Sequence, residues 1–129
     1  MNTTINKKST KNFNRVSDII DSLIINPNPE AVNVLEEIGT NSSIDEVREM
    51  TAVALVKRNE QHSLDIVISR NGKGINDMST AVAMSTINAL LSLEDKQEAM
   101  KVLENTISGD FEDTVKENAR SVKALMALS

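Results

Sequence analysis

The sequence has no cysteine, no tryptophan and no tyrosine, and only two phenylalanines, Phe13 and Phe111. Without cysteine there is no disulfide framework, no thiolate metal site and no cysteine nucleophile. With so few aromatics, a base-stacking platform for nucleic acid is disfavoured, and the core has to be assembled from Leu, Ile, Val, Ala and the six Met. Helix breakers are scarce as well: four Gly and two Pro in 129 residues leave long uninterrupted stretches, which favours helices. No apolar run approaches the roughly 20 residues that cross a bilayer, and the opening MNTTINKKSTKNFNR lacks the apolar segment of a secretory signal. These absences predict a soluble cytoplasmic protein, and a reducing compartment fits the lack of cysteine.

What is present is one domain's worth of chain, with charge placed unevenly. Lys7, Lys8, Lys11 and Arg15 give the first fifteen residues +4, whereas the remaining 10 basic and 19 acidic residues leave −9 on the rest. Residues 1–12 are rich in Asn, Thr and Lys and nearly free of apolar side chains, so they read as a flexible basic tail. Residues 13–129 then form a single all-helical domain.

Apolar spacing places a first helix from Phe13 to Ile25, with Val16, Ile19, Ile20, Leu23 and Ile24 on one stripe. NPNP at 26–29 stops it, because proline removes backbone donors and forces its predecessor out of helical geometry. A second helix runs from Glu30 to Ile38 and is closed by Gly39. SSIDEV offers a capping box in which Ser43 caps the third helix and Glu46 returns the bond; that helix ends at Arg58. The fourth, Gln61–Ser69, contains the β-branched LDIVI but sits among helical neighbours. RNGKG at 70–74 is the clearest break in the middle of the chain. A fifth helix is expected over Asp77–Leu93 and a sixth over Asp95–Ile107. The seventh starts at Asp110 or Phe111, with Phe111, Val115, Ala119, Val122 and Met126 along one side.

Compared with one another, these segments repeat. Thr51-Ala52-Val53-Ala54-Leu55-Val56, Thr86-Ile87-Asn88-Ala89-Leu90-Leu91 and Ser121-Val122-Lys123-Ala124-Leu125-Met126 lie 35 residues apart. They share the order small hydroxyl, apolar, variable, Ala, Leu, apolar. The same offset superimposes Val67 on Val102 and Ile68 on Leu103. A period of this length made of two helices is what stacked helical hairpins produce, since no unit buries its apolar face alone. The expected fold is therefore all-α, an α-solenoid-like right-handed stack of antiparallel helical hairpins with seven helices. A small Ala at the recurrent position would let paired helices approach closely.

The stretch ALLSLEDKQEAMKVLENTI resembles a tetratricopeptide repeat, through Ala89 and Leu90 in the first helix, a turn at Glu94 and Asp95, Ala99 as the small residue of the second helix, and Leu103 at its bulky position. It departs from that family in lacking large aromatics, in Glu94 where Gly is common, and in Phe111 where a proline usually follows. VREMTAVALVKR resembles the first helix of a HEAT-type unit. Either resemblance implies a protein-binding scaffold without catalytic residues.

Other chemistries find little support. A DNA-reading helix-turn-helix within INDMSTAVAMSTINALLSLE lacks a clear turn, since AVAMST has no Gly. A net charge of −5 opposes phosphate binding, although Lys57, Arg58, Arg70 and Lys73 form a candidate basic patch. RNGKG is not a phosphate loop, because the full GxxxxGK[ST] pattern and its strand-turn-helix setting are missing. His62 is the only histidine and has no HExxH partner; it is read as an exposed or capping residue. The carboxylate pairs Glu36 with Glu37, Glu46 with Glu49 and Glu94 with Glu98 read as solvated helix surface. No enzyme activity, cofactor or metal is expected.

The functional expectation is a small adaptor, scaffold or chaperone-like module. It would bind a partner peptide or helix in a shallow groove lined by the first helix of each hairpin, through Met50, Val53, Lys57, Met84, Asn88 and Lys123. Flexible thioethers at Met50 and Met84 suit an adaptable surface. A nucleic-acid-binding regulator and a structural homo-oligomer built on the terminal helices are the alternatives.

Overall fold

The computed structural model describes residues 15–69, 75 and 78–129. Within them the chain forms seven helices and no strand: α1 (15–25), α2 (Glu30–Asn41), α3 (Asp45–Arg58), α4 (Gln61–Ile68), α5 (Thr80–Leu91), α6 (Gln97–Ser108) and α7 (Asp113–Leu128). The expected basic tail, a helix start at Phe13, the RNGKG break and a helix start at Asp77 lie outside the described residues.

The helices pack in two layers. In one, α3 lies against α5 and α5 against α7; in the other, α2 lies against α4 and α4 against α6. The layers are joined where α2 meets α3, α3 meets α4 and α6 meets α7. Leu35, Leu64, Leu90 and Leu103, one from each of α2, α4, α5 and α6, are fully enclosed between them. Such an arrangement buries an aliphatic core without aromatics, because every interior helix meets a neighbour on more than one side.

Three side chains at one end of the stack fix its orientation. The Arg58 guanidinium, 3% exposed, donates from Nη1 to the carbonyls of Leu23 at 2.7 Å and Asn26 at 2.6 Å, and from Nη2 to Glu60 Oε1 at 2.8 Å. It thereby satisfies carbonyls that the end of α1 leaves without intrahelical donors. Asn59 takes the left-handed conformation at φ 52° that ends α3, as Asn tolerates, and its Nδ2 donates to the carbonyl of Asp95 just beyond α5 at 2.9 Å. The C-terminal ends of α1 and α3 and the α5–α6 loop therefore lie together, and with Ser85 bonded to Glu49 farther back along the helices, α3 and α5 run parallel.

Local chemistry explains the boundaries. Asn26 Oδ1 accepts from the backbone N–H of Asn28 at 2.9 Å and Asn28 Oδ1 from that of Glu30 at 3.0 Å, so NPNP winds directly into α2. α4 starts with a reciprocal cap between Glu60 and Ser63. Its Leu64, Ile66, Val67 and Ile68 are all buried, and that enclosure overrides the strand preference of LDIVI. Ser79 Oγ accepts from the N–H of Val82 at 3.4 Å and starts α5.

Several boundaries differ from expectation. α2 does not stop at Gly39 but continues to Asn41. The glycine serves a contact instead: a Cβ there would lie 2.5 Å from Thr51 Oγ1 on α3, so α2 and α3 approach closely only with hydrogen at that position. The capping box at Ser43 is absent. Ile44 holds the N-cap position without a side-chain cap, while Ser42 Oγ accepts from the Ile44 N–H at 3.1 Å and turns the chain one residue earlier. α5 ends at Leu91 rather than Leu93, and α6 begins at Gln97 rather than Asp95, whose carboxylate accepts from the Gln97 N–H at 3.0 Å. α7 begins at Asp113, leaving Phe111 in the preceding turn.

The 35-residue pattern also divides. In α3 and α5 the equivalent Thr51 and Thr86 are buried, each hydroxyl donating to the carbonyl four residues back, at 3.0 Å to Val47 and 2.7 Å to Val82. Leu55 and Leu90 are buried with them. In α7 the equivalent Ser121, Ala124 and Leu125 are exposed, and Val115, Ala119, Val122 and Met126 face the core. The buried stripe of α7 is thus displaced by one residue, about 100° around the helix axis.

Candidate functional site

The outward face of α3 carries Glu46, Glu49, Met50, Val53 and Lys57, opposite its buried Thr51, Ala52 and Leu55. The outward face of α5 carries Ala81, Met84, Ser85 and Asn88, opposite Val82, Thr86 and Leu90. Because both helices bury the same register, their outer residues fall at equivalent positions: Val53 with Asn88, Met50 with Ser85, Glu49 with Met84. A hydrogen bond from Ser85 Oγ to Glu49 Oε1 at 2.9 Å joins the two faces at their shared edge.

The expected binding residues thus separate. Met50, Val53, Lys57, Met84 and Asn88 come together on the α3–α5 face. Met50 and Val53 are half-buried, Lys57 and Asn88 exposed, and Met84 is 55% exposed. Lys123 stands elsewhere: its ammonium lies 3.7 Å from Glu104 Oε1 on α6, so it belongs to the α6–α7 edge. The quarter-turn displacement of α7 carries it there, since Lys123 would match Val53 and Asn88 only in an unbroken register. Among the described methionines, Met84 stands apart: Met50, Met78 and Met100 pack against the core and Met126 is buried.

Of the candidate basic patch, Arg70 and Lys73 lie outside the described residues, Lys57 is exposed, and Arg58 is enclosed and already bonded to two carbonyls and a carboxylate. Among the acidic pairs, Glu49 is engaged by Ser85, and Glu98 lies 3.6 Å from Lys101. His62 is exposed, with Nε2 3.3 Å from Asn33 Oδ1. Among the described residues, no three His, Asp or Glu side chains gather where a metal ion could sit, and no helix is long and apolar enough to cross a membrane.

A second concavity of about 380 Å³ opens between α2, α3, α4 and the start of α5. Leu35, Leu55 and Val67 lie beneath it, and Thr40, Arg48 and Ser79 stand at its mouth. Sequence reasoning did not anticipate it, because its walls come from four helices. The residues beneath are already sealed, Leu35 at 0% and Val67 at 1% exposure, so an occupant would remove little further apolar surface from water. At the mouth, Arg48 is paired with Asp45. The concavity therefore lies over a closed core and is lined by both apolar and polar side chains.

No family model, curated protein or solved structure matches this chain. Function therefore has to be argued from the geometry of the molecule itself.

Proposed function

We propose that this chain is a small helical-repeat module that binds a partner peptide or helix on the outward face of α3 and α5. The observation that carries the reading is the shared register of these two parallel helices, which brings Met50, Val53 and Lys57 of α3 and Met84 and Asn88 of α5 onto one surface, joined across the Glu49–Ser85 bond. Apolar side chains interspersed with polar ones let a helical surface gain affinity from burial and orientation from its hydrogen-bonding groups. Met84 supplies an unbranched side chain that adapts to different apolar neighbours. The ties from Arg58 to residues 32 and 35 positions earlier, and from Asn59 to Asp95, 36 positions later, support the kinship with tetratricopeptide-like or HEAT-like repeats.

Selection of peptides from a random display library on the immobilised protein tests this. Enriched sequences should carry spaced apolar residues and should lose binding to Met84→Glu and to Val53→Glu, while Lys123→Ala binds them as the parent does. Failure to enrich any sequence, or enriched peptides indifferent to both α3–α5 substitutions, would overturn the proposal.

A further inference from the structure

The first and last helices, α1 and α7, each present an exposed face. On α1 that face is Arg15, Asp18, Ile19, Ser22 and Ile25, opposite the buried Ile20. On α7 it is Glu117, Arg120, Ser121, Ala124, Leu125 and Leu128, opposite Val115, Ala119, Val122 and Met126. Both faces are charged in their N-terminal half and apolar at their C-terminal end, where Ile25 is 82% and Leu128 85% exposed. Isolated apolar side chains on a surface are ordinary, but two matched stripes on the first and last helices are not explained by that.

We infer that α7 of one molecule docks beside α1 of a second copy, so that copies associate head to tail. The order of charges selects this pairing. With the two helices set parallel, the register that brings Arg15 level with Glu117 and Asp18 level with Arg120 places Ile25 beside Ala127, one residue from Leu128. Among the described residues, none of these four charged side chains is engaged in an ion pair. The self-pairings are worse. Two α7 helices side by side in parallel would oppose Glu117 to Glu117 and Arg120 to Arg120, and an antiparallel pair that brings Glu117 to Arg120 would carry Leu125 and Leu128 past the start of the partner helix, against Glu112 and beyond. Like charges in contact and apolar groups against carboxylates both disfavour association. The displaced register of α7 has a role here: it turns Ala124 and Leu125 outward, where an interior helix would bury them.

A single helix-on-helix contact buries less than a stable dimer needs, so the association is weak and concentration-dependent. Being heterologous, it leaves a free α1 face at one end and a free α7 face at the other and continues into short open chains.

Sedimentation velocity of the full chain over a rising concentration series is the test, with far-UV circular dichroism to check that each variant is folded. The weight-average sedimentation coefficient should rise with concentration for the parent and stay at the monomer value for Ile25→Asp and for the double variant Leu125→Asp with Leu128→Asp. Mixing those two blocked proteins should restore association but stop it at dimers, because each retains the face the other lacks. Arg15→Glu and Glu117→Arg should each weaken association, and the two changes in one chain should recover it. A parent that stays monomeric to millimolar concentration, or a mixture of blocked proteins that does not associate, would overturn the inference. So would an α1-blocked protein that still self-associates, since it would place the contact between two α7 helices or on another surface.

Discussion

α5 and α7 carry the same six-residue pattern, and they bury different sides of it. Around α5, neighbours lie on both flanks of the layer, α3 on one and α7 on the other, and the recurrent Thr86 and Leu90 point inward between them. α7 packs chiefly on α6, with α5 on one flank, and it buries the stripe that its own amphipathic spacing dictates, Val115, Ala119, Val122 and Met126. Where a helix is flanked, the repeat register holds; where it ends the layer, the helix rotates to its most apolar face. A recurring pattern in sequence therefore measures equivalence of surroundings only for the helices that share those surroundings.

The most direct way to break the comparison is to truncate the equivalent leucines. Leu90 is fully buried and Leu125 is 45% exposed. Leu90→Ala removes enclosed methyl groups and leaves a cavity, at a cost of about 2 to 5 kcal/mol. Leu125→Ala removes surface contacts and should change stability by no more than about 0.5 kcal/mol. Urea unfolding of both variants measures the contrast. Similar losses at the two sites would mean that α7 keeps the repeat register in solution.

A second contrast sets Arg58 against Lys123, basic residues that a charge count treats alike. Arg58 closes the end of α1 from an enclosed position, while Lys123 sits in a partly exposed pair with Glu104. Arg58→Ala removes an enclosed guanidinium that donates to two carbonyls at the end of α1 and should cost about 1.5 to 3 kcal/mol, the range for bonds made by a charged group. Arg58→Lys should recover little of this, because a single ammonium does not reproduce the planar fork that reaches Leu23, Asn26 and Glu60 at once. Lys123→Ala should cost less than about 1 kcal/mol, as exposed ion pairs do. Hydrogen exchange adds a spatial check: Arg58→Ala should lower protection in α1 before α6 and α7, whereas uniform loss would place Arg58 in the global core.

These contrasts mark where sequence reasoning reaches. Helix class and number were legible because apolar residues recur at three- and four-residue spacing and few breakers intervene, and even LDIVI was placed correctly by its helical neighbours. The enclosed role of Arg58 was not, because it depends on where α1 ends, more than thirty residues earlier. Lys123 was misplaced by extending the α3 and α5 register to α7, although the Val115, Ala119, Val122 and Met126 stripe was visible at the same time and predicts the observed orientation. Two readings of one segment conflicted, and local amphipathicity prevailed. Met50, Val53 and Met84 were anticipated as separate residues, and their placement on one surface depends on the packing of α3 with α5.

Gly39 gives the finest test of the same idea, since its meaning also lies in a neighbour rather than in the local chain. Read alone, a glycine after an apolar run ends a helix; here the helix passes through it, and in an exposed helix Gly→Ala would gain about 1 kcal/mol. The neighbour reverses the sign. A methyl group at position 39 would press on Thr51 Oγ1, which is held in place by its bonds to the carbonyls of Val47 and Arg48 at 3.0 and 2.9 Å. Overpacking of this kind costs about 1 to 3 kcal/mol, so Gly39→Ala should be net destabilising by roughly 1 kcal/mol. Thr51→Ala removes the obstructing hydroxyl and makes room for the methyl group. The double variant should therefore be more stable than the sum of the two single changes predicts, by a coupling of about 1 to 2 kcal/mol in a double-mutant cycle. A coupling near zero would mean that α2 and α3 separate to admit the methyl group, and the close approach would then not be what keeps glycine compatible with an unbroken α2.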